Sequence, residues 1–256
     1  MKQIFAIAIN CLKELWRKKD IYTFLVLFFI LFIFLISENF FGIRDISRYT
    51  KDIGFTIALL FSLIIAVTFS VKQIPSEVEF KTIYALLAKP LTRFQLIIGK
   101  FLGSFFTSSS AFSALFALFA IFVYIKGEGV APILLAQSYI LGLCLMSVLC
   151  SVSTLLSLFF TTSGAATLSF IIYFGITWFS DMLRNTLLDS GGITKILGLI
   201  FYYLIPHYEF YDIKIRLVHS WEPLPTTIFL LIIVYSLVYT YTLLFLSYLG
   251  IKRRVF

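Results

Sequence analysis

Residues 131–180 read APILLAQSYILGLCLMSVLCSVSTLLSLFFTTSGAATLSFIIYFGITWFS, without a single charged side chain. A helix rises about 1.5 Å per residue and the hydrocarbon core of a bilayer is about 30 Å thick, so about 20 mostly apolar residues cross it. The stretch is long enough for two crossings. Residues 161–164 (Thr-Thr-Ser-Gly) are the one turn-like break inside it. Composition agrees: 60% of the chain is apolar and 13% charged, where a soluble domain has roughly 45–50% and about 25%.

Working outward, similar runs give spans at 21–41, 53–73, 100–125, 131–160, 164–183 and 226–250. The expected fold is an all-α polytopic membrane protein with six transmembrane helices, forming one domain over 1–256. The net charge of +8 does not call for nucleic acid, because the basic residues cluster between spans, where they set topology. With the N-terminus inside, the inner segments hold Lys2, Lys13, Arg17, Lys18, Lys19, Lys72, Lys81, Lys89, Arg93, Lys100, Lys252, Arg253 and Arg254. The outer segments hold Arg44, Arg48, Lys51, Lys126, Arg184, Lys195, Lys214 and Arg216. That is 13 against 8, which places both termini in the cytoplasm.

Two flanking segments have their own pattern. In 1–20, Ile4, Ala8, Cys11, Leu12, Leu15 and Trp16 recur at helical spacing opposite Lys2, Asn10, Lys13, Arg17 and Lys18. This reads as an amphipathic helix in contact with membrane lipid; a plain basic flank that fixes orientation is the alternative. The outer segment 181–225 contains an apolar stretch at 196–205, too short to span, which reads as a re-entrant or interfacial helix. Trp221 and the tyrosines Tyr202, Tyr203, Tyr208 and Tyr211 suit a membrane–water boundary.

The charged break at 75–100 reads PSEVEFKTIYALLAKPLTRFQLIIGK. Ser76 with Glu79, and Thr92 with Gln95, have the spacing of capping boxes. Pro90 lacks an N–H and restricts Lys89, so it ends the first helix. The expectation is a short cytoplasmic helix at about 77–88, a tight turn, and a helix running into the third span. Val78, Ile83, Leu86 and Leu87 can face the membrane domain; Glu77, Glu79, Lys81 and Lys89 cannot be buried cheaply in lipid. Such a helix is a suitable lever for a soluble partner, or an ordinary solvated loop helix. Gly99 and Gly103 form a small-xxx-small pair that would let another helix approach closely, or a chance pair. Arg93 reads as a holder of an acid or phospholipid headgroup, or as a topology anchor.

The order Glu77, Glu79, Thr82-Ile83, Leu86-Leu87, Pro90, Arg93, then Gly99-Lys100 and Gly103, resembles the cytoplasmic segment of ABC-2 type permeases, the membrane subunits of ABC transporters. It is similar in particular to the branch named for multi-copper-enzyme maturation. Many members have Gly before the Thr, where this chain has Lys81. The basic N-terminal helix resembles the family's elbow helix, the stretch 151–167 its fourth-to-fifth span junction, and the outer segment with Tyr203, Pro206 and Phe210 its re-entrant region. The resemblance implies a cytoplasmic coupling helix between spans 2 and 3, with Glu77, Glu79, Lys81, Thr82, Leu86, Leu87, Pro90 and Arg93 serving ATPase coupling. It also implies a separate ABC ATP-binding subunit carrying ATP and Mg, a second permease subunit (identical or not), export as the direction, and the inner membrane of a prokaryote.

The chain's own residues supply no ATPase. No Gly-x-x-x-x-Gly-Lys-Ser/Thr loop is present; Gly99-Lys100 is followed by Phe101, with Phe94 where the first glycine would stand. His207 and His219 lack metal-ligand spacing, and Cys11, Cys144 and Cys150 form no disulfide or metal framework. No cofactor is expected in this chain. Ionisable groups are almost absent from the spans, although a proton-coupled transporter usually needs one at depth. The competing class is a non-transporting membrane protein: an assembly factor, a sensor or a lipid-modifying enzyme. Nothing in the sequence identifies a substrate.

Overall fold

The computed structural model describes residues 46–75, 92–125, 130–189 and 205–253, together with the helical positions Ile9, Lys13, Val26 and Ile30. Most of the expected elbow helix (1–20), the first expected span (21–41), most of the coupling segment and the stretch 190–204 lie outside the described residues. Among the described residues the chain is all helical, without strands. The long helices are α1 (Ile46–Lys72), α2 (Arg93–Ile125), α3 (Pro132–Phe159) and α4 (Thr162–Asp189). A 3₁₀ turn (Tyr208–Tyr211) and the short α5 (Lys214–Val218) follow, before α6 (Thr226–Arg253).

Five of these helices are long and apolar enough to cross a membrane: Lys51–Lys72, Arg93–Tyr124, Pro132–Phe159, Thr162–Ser180 and Thr226–Lys252. They coincide with the second to sixth expected spans to within a few residues, save at the start of α2. That helix begins at Arg93, not 100, because its cap is complete there. Thr92 N–H donates to Gln95 Oε1 at 3.1 Å, and Gln95 N–H donates to Thr92 Oγ1 at 3.3 Å. The two residues thus satisfy orphan N–H groups reciprocally. The turn at 161–164 is also where the sequence puts it. Helix α3 stops at Phe159, and Gly164 N–H donates to Thr161 Oγ1 at 3.3 Å to start α4. Pro132 sits in the first turn of α3, where its missing N–H costs nothing.

The antiparallel run of helices gives the bundle two ends. Lys72, Arg93, Thr161 and Lys252 mark one, here the basic end. The turn at Tyr208–Tyr211, α5 and the start of α6 mark the other, here the tyrosine end. Helix α3 is the axis of the bundle and packs against α1, α2, α4 and α6. Two thirds of its span is buried (67%), against 17% for the spans of α4 and α6. The latter two therefore present most of their surface outward, including Ile171, Leu231, Leu237 and Val238.

Lipid tails are as apolar as Leu, so close packing holds such helices together. Small hydroxyl residues and aromatic rings stand among the aliphatic residues at the contacts. Ser104, Ser108, Ser151, Thr154 and Ser157 return their hydroxyls to carbonyls three or four residues back on their own helix. They satisfy themselves and leave room for a neighbour. Three pairs bridge helices: Ser108 Oγ with Cys150 Sγ at 3.4 Å, Ser113 Oγ with Tyr139 OH at 2.7 Å, and Ser147 Oγ with Thr240 Oγ1 at 3.4 Å. Phe55 of α1 and Phe112, Phe116 and Phe119 of α2 form one ring cluster with Tyr139 of α3. Gly99 and Gly103 are both buried on α2. Another close approach lies at Gly142. A Cβ on Gly142 would stand 2.5 Å from Phe112 Cε1, so the ring lies against bare backbone there.

Candidate functional site

The basic end is built around the first turn of α2. Of the residues expected to serve coupling, Glu77, Glu79, Lys81, Thr82, Leu86, Leu87 and Pro90 lie outside the described residues. Arg93 is described, and its partner belongs to the last helix. Its Nη1 donates to the carbonyl of Ile251 at 3.1 Å and to that of Lys252 at 3.5 Å. These carbonyls are in the last turn of α6, among the four that have no partner within a helix. A guanidinium there satisfies them and sits at the negative end of the helix dipole, worth about 0.3–1 kcal/mol at an exposed site. Nothing in the sequence announces this contact with a helix end.

A ring contact reinforces it. Phe94 meets Tyr248 of α6 edge to face, with centroids 5.6 Å apart and planes at 82°. One turn of α6 thus touches the start of α2 through a cation and through an aromatic pair. The same stretch of α6 approaches the α3–α4 turn: a Cβ on Gly250 would lie 3.3 Å from Phe159 Cζ and 3.6 Å from Leu158 Cδ1. The basic end of α6 is therefore where three segments meet.

The tyrosine end is closed by 205–225. Sequence placed Tyr208 and Tyr211 at a lipid boundary; instead both are buried, each 3% exposed, in the main core. They are large rings carried on a short turn that packs against α3 and α4. Tyr173 of α4 contacts Tyr208 with ring centroids 5.1 Å apart. Phe210 meets Tyr235 of α6 at 5.6 Å, and Tyr235 meets Tyr239 at 5.7 Å. The hydroxyls of Tyr208 and Tyr211 are buried and have no hydrogen-bond partner among the described residues. Burial, joined by the neighbouring phenols, holds both pKa values above the ordinary tyrosine value, so both are neutral. His207 is pushed below 6.5 by burial, with the Glu209 carboxylate opposing.

Polar contacts tie this cap to the bundle. His207 N–H donates to Tyr235 OH at 3.1 Å. Lys214 of α5 pairs with Asp52 of α1 at 3.0 Å. Gln137 of α3, 5% exposed, donates from Nε2 to the carbonyl of Leu224 and accepts from its N–H, both at 2.9 Å. Trp221 is 55% exposed, and Trp178 on α4 is 75% exposed. Among the described residues no group of three His, Cys, Asp or Glu is placed to hold a metal ion. Gln137 was not singled out from sequence: its partner is 87 residues away, and no local pattern announces it.

The family model described as ABC-2 family transporter protein matches residues 5–250. No curated protein matches the chain significantly. The match spans all five membrane-crossing helices and the charged break between α1 and α2, and the chain belongs to the ABC-2 transporter family.

Proposed function

We propose that this chain is the membrane-spanning subunit of an ATP-driven exporter, worked by a separate cytoplasmic ATP-binding subunit. The observation that carries the reading is the family match over nearly the whole chain, together with five membrane-crossing helices. The chain's sequence offers no phosphate-binding loop, so energy has to arrive through a contact. The charged segment 76–90 is the proposed contact, with Glu77 and Glu79 facing a basic patch of the partner. In this reading the basic end faces the cytoplasm and residues 1–20 form the elbow helix. Residues 21–41 form a sixth span, and two permease subunits stand on two ATP-binding subunits in a prokaryotic inner membrane. Closure of the ATP-binding subunits pushes on 76–90, and the spans tilt to open a path outward.

The test is co-expression with ABC ATP-binding subunits of the same genome, with Glu77→Lys and Glu79→Lys together. The expected result is loss of assembly, or assembly without coupled ATP hydrolysis. Unchanged assembly with unchanged coupled hydrolysis would contradict the lever. Failure of the unaltered chain to co-purify with any ABC ATP-binding subunit would favour a non-transporting membrane protein.

A further inference from the structure

We propose that Arg93 is a positioning residue that passes motion of the coupling segment to the last span. The inference rests on the coupling role proposed for 76–90. The start of α2 is one of the two described ends that flank that segment in the chain, and Thr92 and Gln95 lock its first N–H groups at 3.1 and 3.3 Å. Displacement delivered to this turn is therefore carried by a formed helix end and is not absorbed by fraying. Arg93 and Phe94 stand in that first turn. Arg93 holds the carbonyls of Ile251 and Lys252, and Phe94 holds the ring of Tyr248. Two contacts of different chemistry thus fasten one turn of α6 to the turn that the segment moves.

The rest of α6 is suited to follow. Only 17% of its span is buried, with Leu231, Val234, Leu237 and Val238 facing outward, so its protein contacts lie on one side, toward α3 and α2. Its other end is held by a different part of the bundle. Gln137 binds both backbone groups of Leu224, two residues before α6 begins. That pair lies at the tyrosine end, remote from the coupling segment, and serves as the pivot. Helix α6 is then a rod pivoted at Leu224 and driven at Ile251. Without Arg93 and Phe94, the coupling segment would move α2 and leave α6 behind.

The experiment uses the complete complex in lipid vesicles, with an environment-sensitive fluorophore on a single introduced cysteine. One position is Leu249 of α6 and the other is Phe106 of α2, which are 39% and 38% exposed. Cys11 and Cys144 are replaced by alanine in this background; Cys150 is fully buried. In the unaltered chain, ATP is expected to change the signal at both positions. In Arg93→Ala/Phe94→Leu the change at 249 is lost while the change at 106 persists, which also shows that the variant has folded and assembled. Arg93→Lys keeps a donor at the carbonyls and restores the change at 249. Persistence of the change at 249 in the double variant overturns the drive through Arg93. Absence of any ATP-dependent change at both positions in the unaltered complex instead overturns the coupling reading on which it stands.

Discussion

The side-chain amide of Gln137 binds the backbone of Leu224 as one peptide group binds another, giving and accepting a hydrogen bond at 2.9 Å each. Gln137 is buried and Leu224 half-buried, so water replaces the pair only poorly. Gln137→Leu strands the N–H and C=O of Leu224 and should destabilise the protein by about 1–3 kcal/mol. Gln137→Glu in its protonated form keeps an acceptor for the Leu224 N–H and an O–H donor for its carbonyl, and is expected to cost less. Thermal unfolding in detergent, with intrinsic tryptophan emission from Trp221 as a local probe, checks the order. A Gln137→Leu variant as stable as the parent would show that the pair contributes nothing.

Gly142 is the position where α2 and α3 tolerate no side chain. A methyl group there meets the Phe112 ring, which is itself fully buried. Gly142→Ala should cost about 1–3 kcal/mol by overpacking. Adding Phe112→Leu should restore part of the loss by freeing the space. Measured melting points of the single and double variants form a cycle; strict additivity would contradict direct contact.

Tyr208 and Tyr211 carry buried hydroxyls that have no partner among the described residues. A hydroxyl that pays desolvation and gains no hydrogen bond is better absent. Tyr208→Phe and Tyr211→Phe should therefore be neutral, or stabilising by up to about 1 kcal/mol. Tyr208→Ala should instead lose several kcal/mol, about 3–5 by analogy with other large-to-small aromatic truncations. Clear destabilisation by the Phe variants would mean that the hydroxyls are bonded in the membrane.

His207 gives the cap a pH dependence with a definite sign. Its pKa in the folded protein lies below 6.5 because burial disfavours the imidazolium, and Glu209 opposes only in part. The unfolded chain then takes up the proton first. Stability from this group is complete above 6.5, and it is lost as pH falls from there through the lower folded value. Melting points measured between neutral pH and mild acid should fall more steeply for the parent than for His207→Asn. Parallel curves would rule out His207 as the source.

Much of the architecture was legible because it follows from local rules. A charge-free run with one Thr-Thr-Ser-Gly interruption has to break at that interruption, and α3 and α4 meet there. The Thr92–Gln95 spacing specifies a helix start, and the reciprocal bonds form. Long-range partners were another matter. Arg93 looks like any basic residue flanking a span, and its link to Ile251 crosses 158 positions. Tyrosine near a span end is usually an interface residue. Only the return of the turn at Tyr208–Tyr211 into the bundle, against α3 and α4, turns two of them into core. Gly142 carries no signal, since glycine is common in membrane helices. The Phe112 ring across from it is fixed by packing alone.

The central claim is that hydrolysis of ATP on a partner subunit is coupled to this chain. The direct measurement is ATP hydrolysis by the ABC ATP-binding subunit that co-purifies with it, alone and after assembly with this chain in lipid vesicles. The account predicts that the two form a stable complex whose hydrolysis rate differs clearly from that of the free subunit, and that Glu77→Lys/Glu79→Lys returns the rate to the free value. A complex that does not form, or a rate that the chain leaves unchanged, would contradict it.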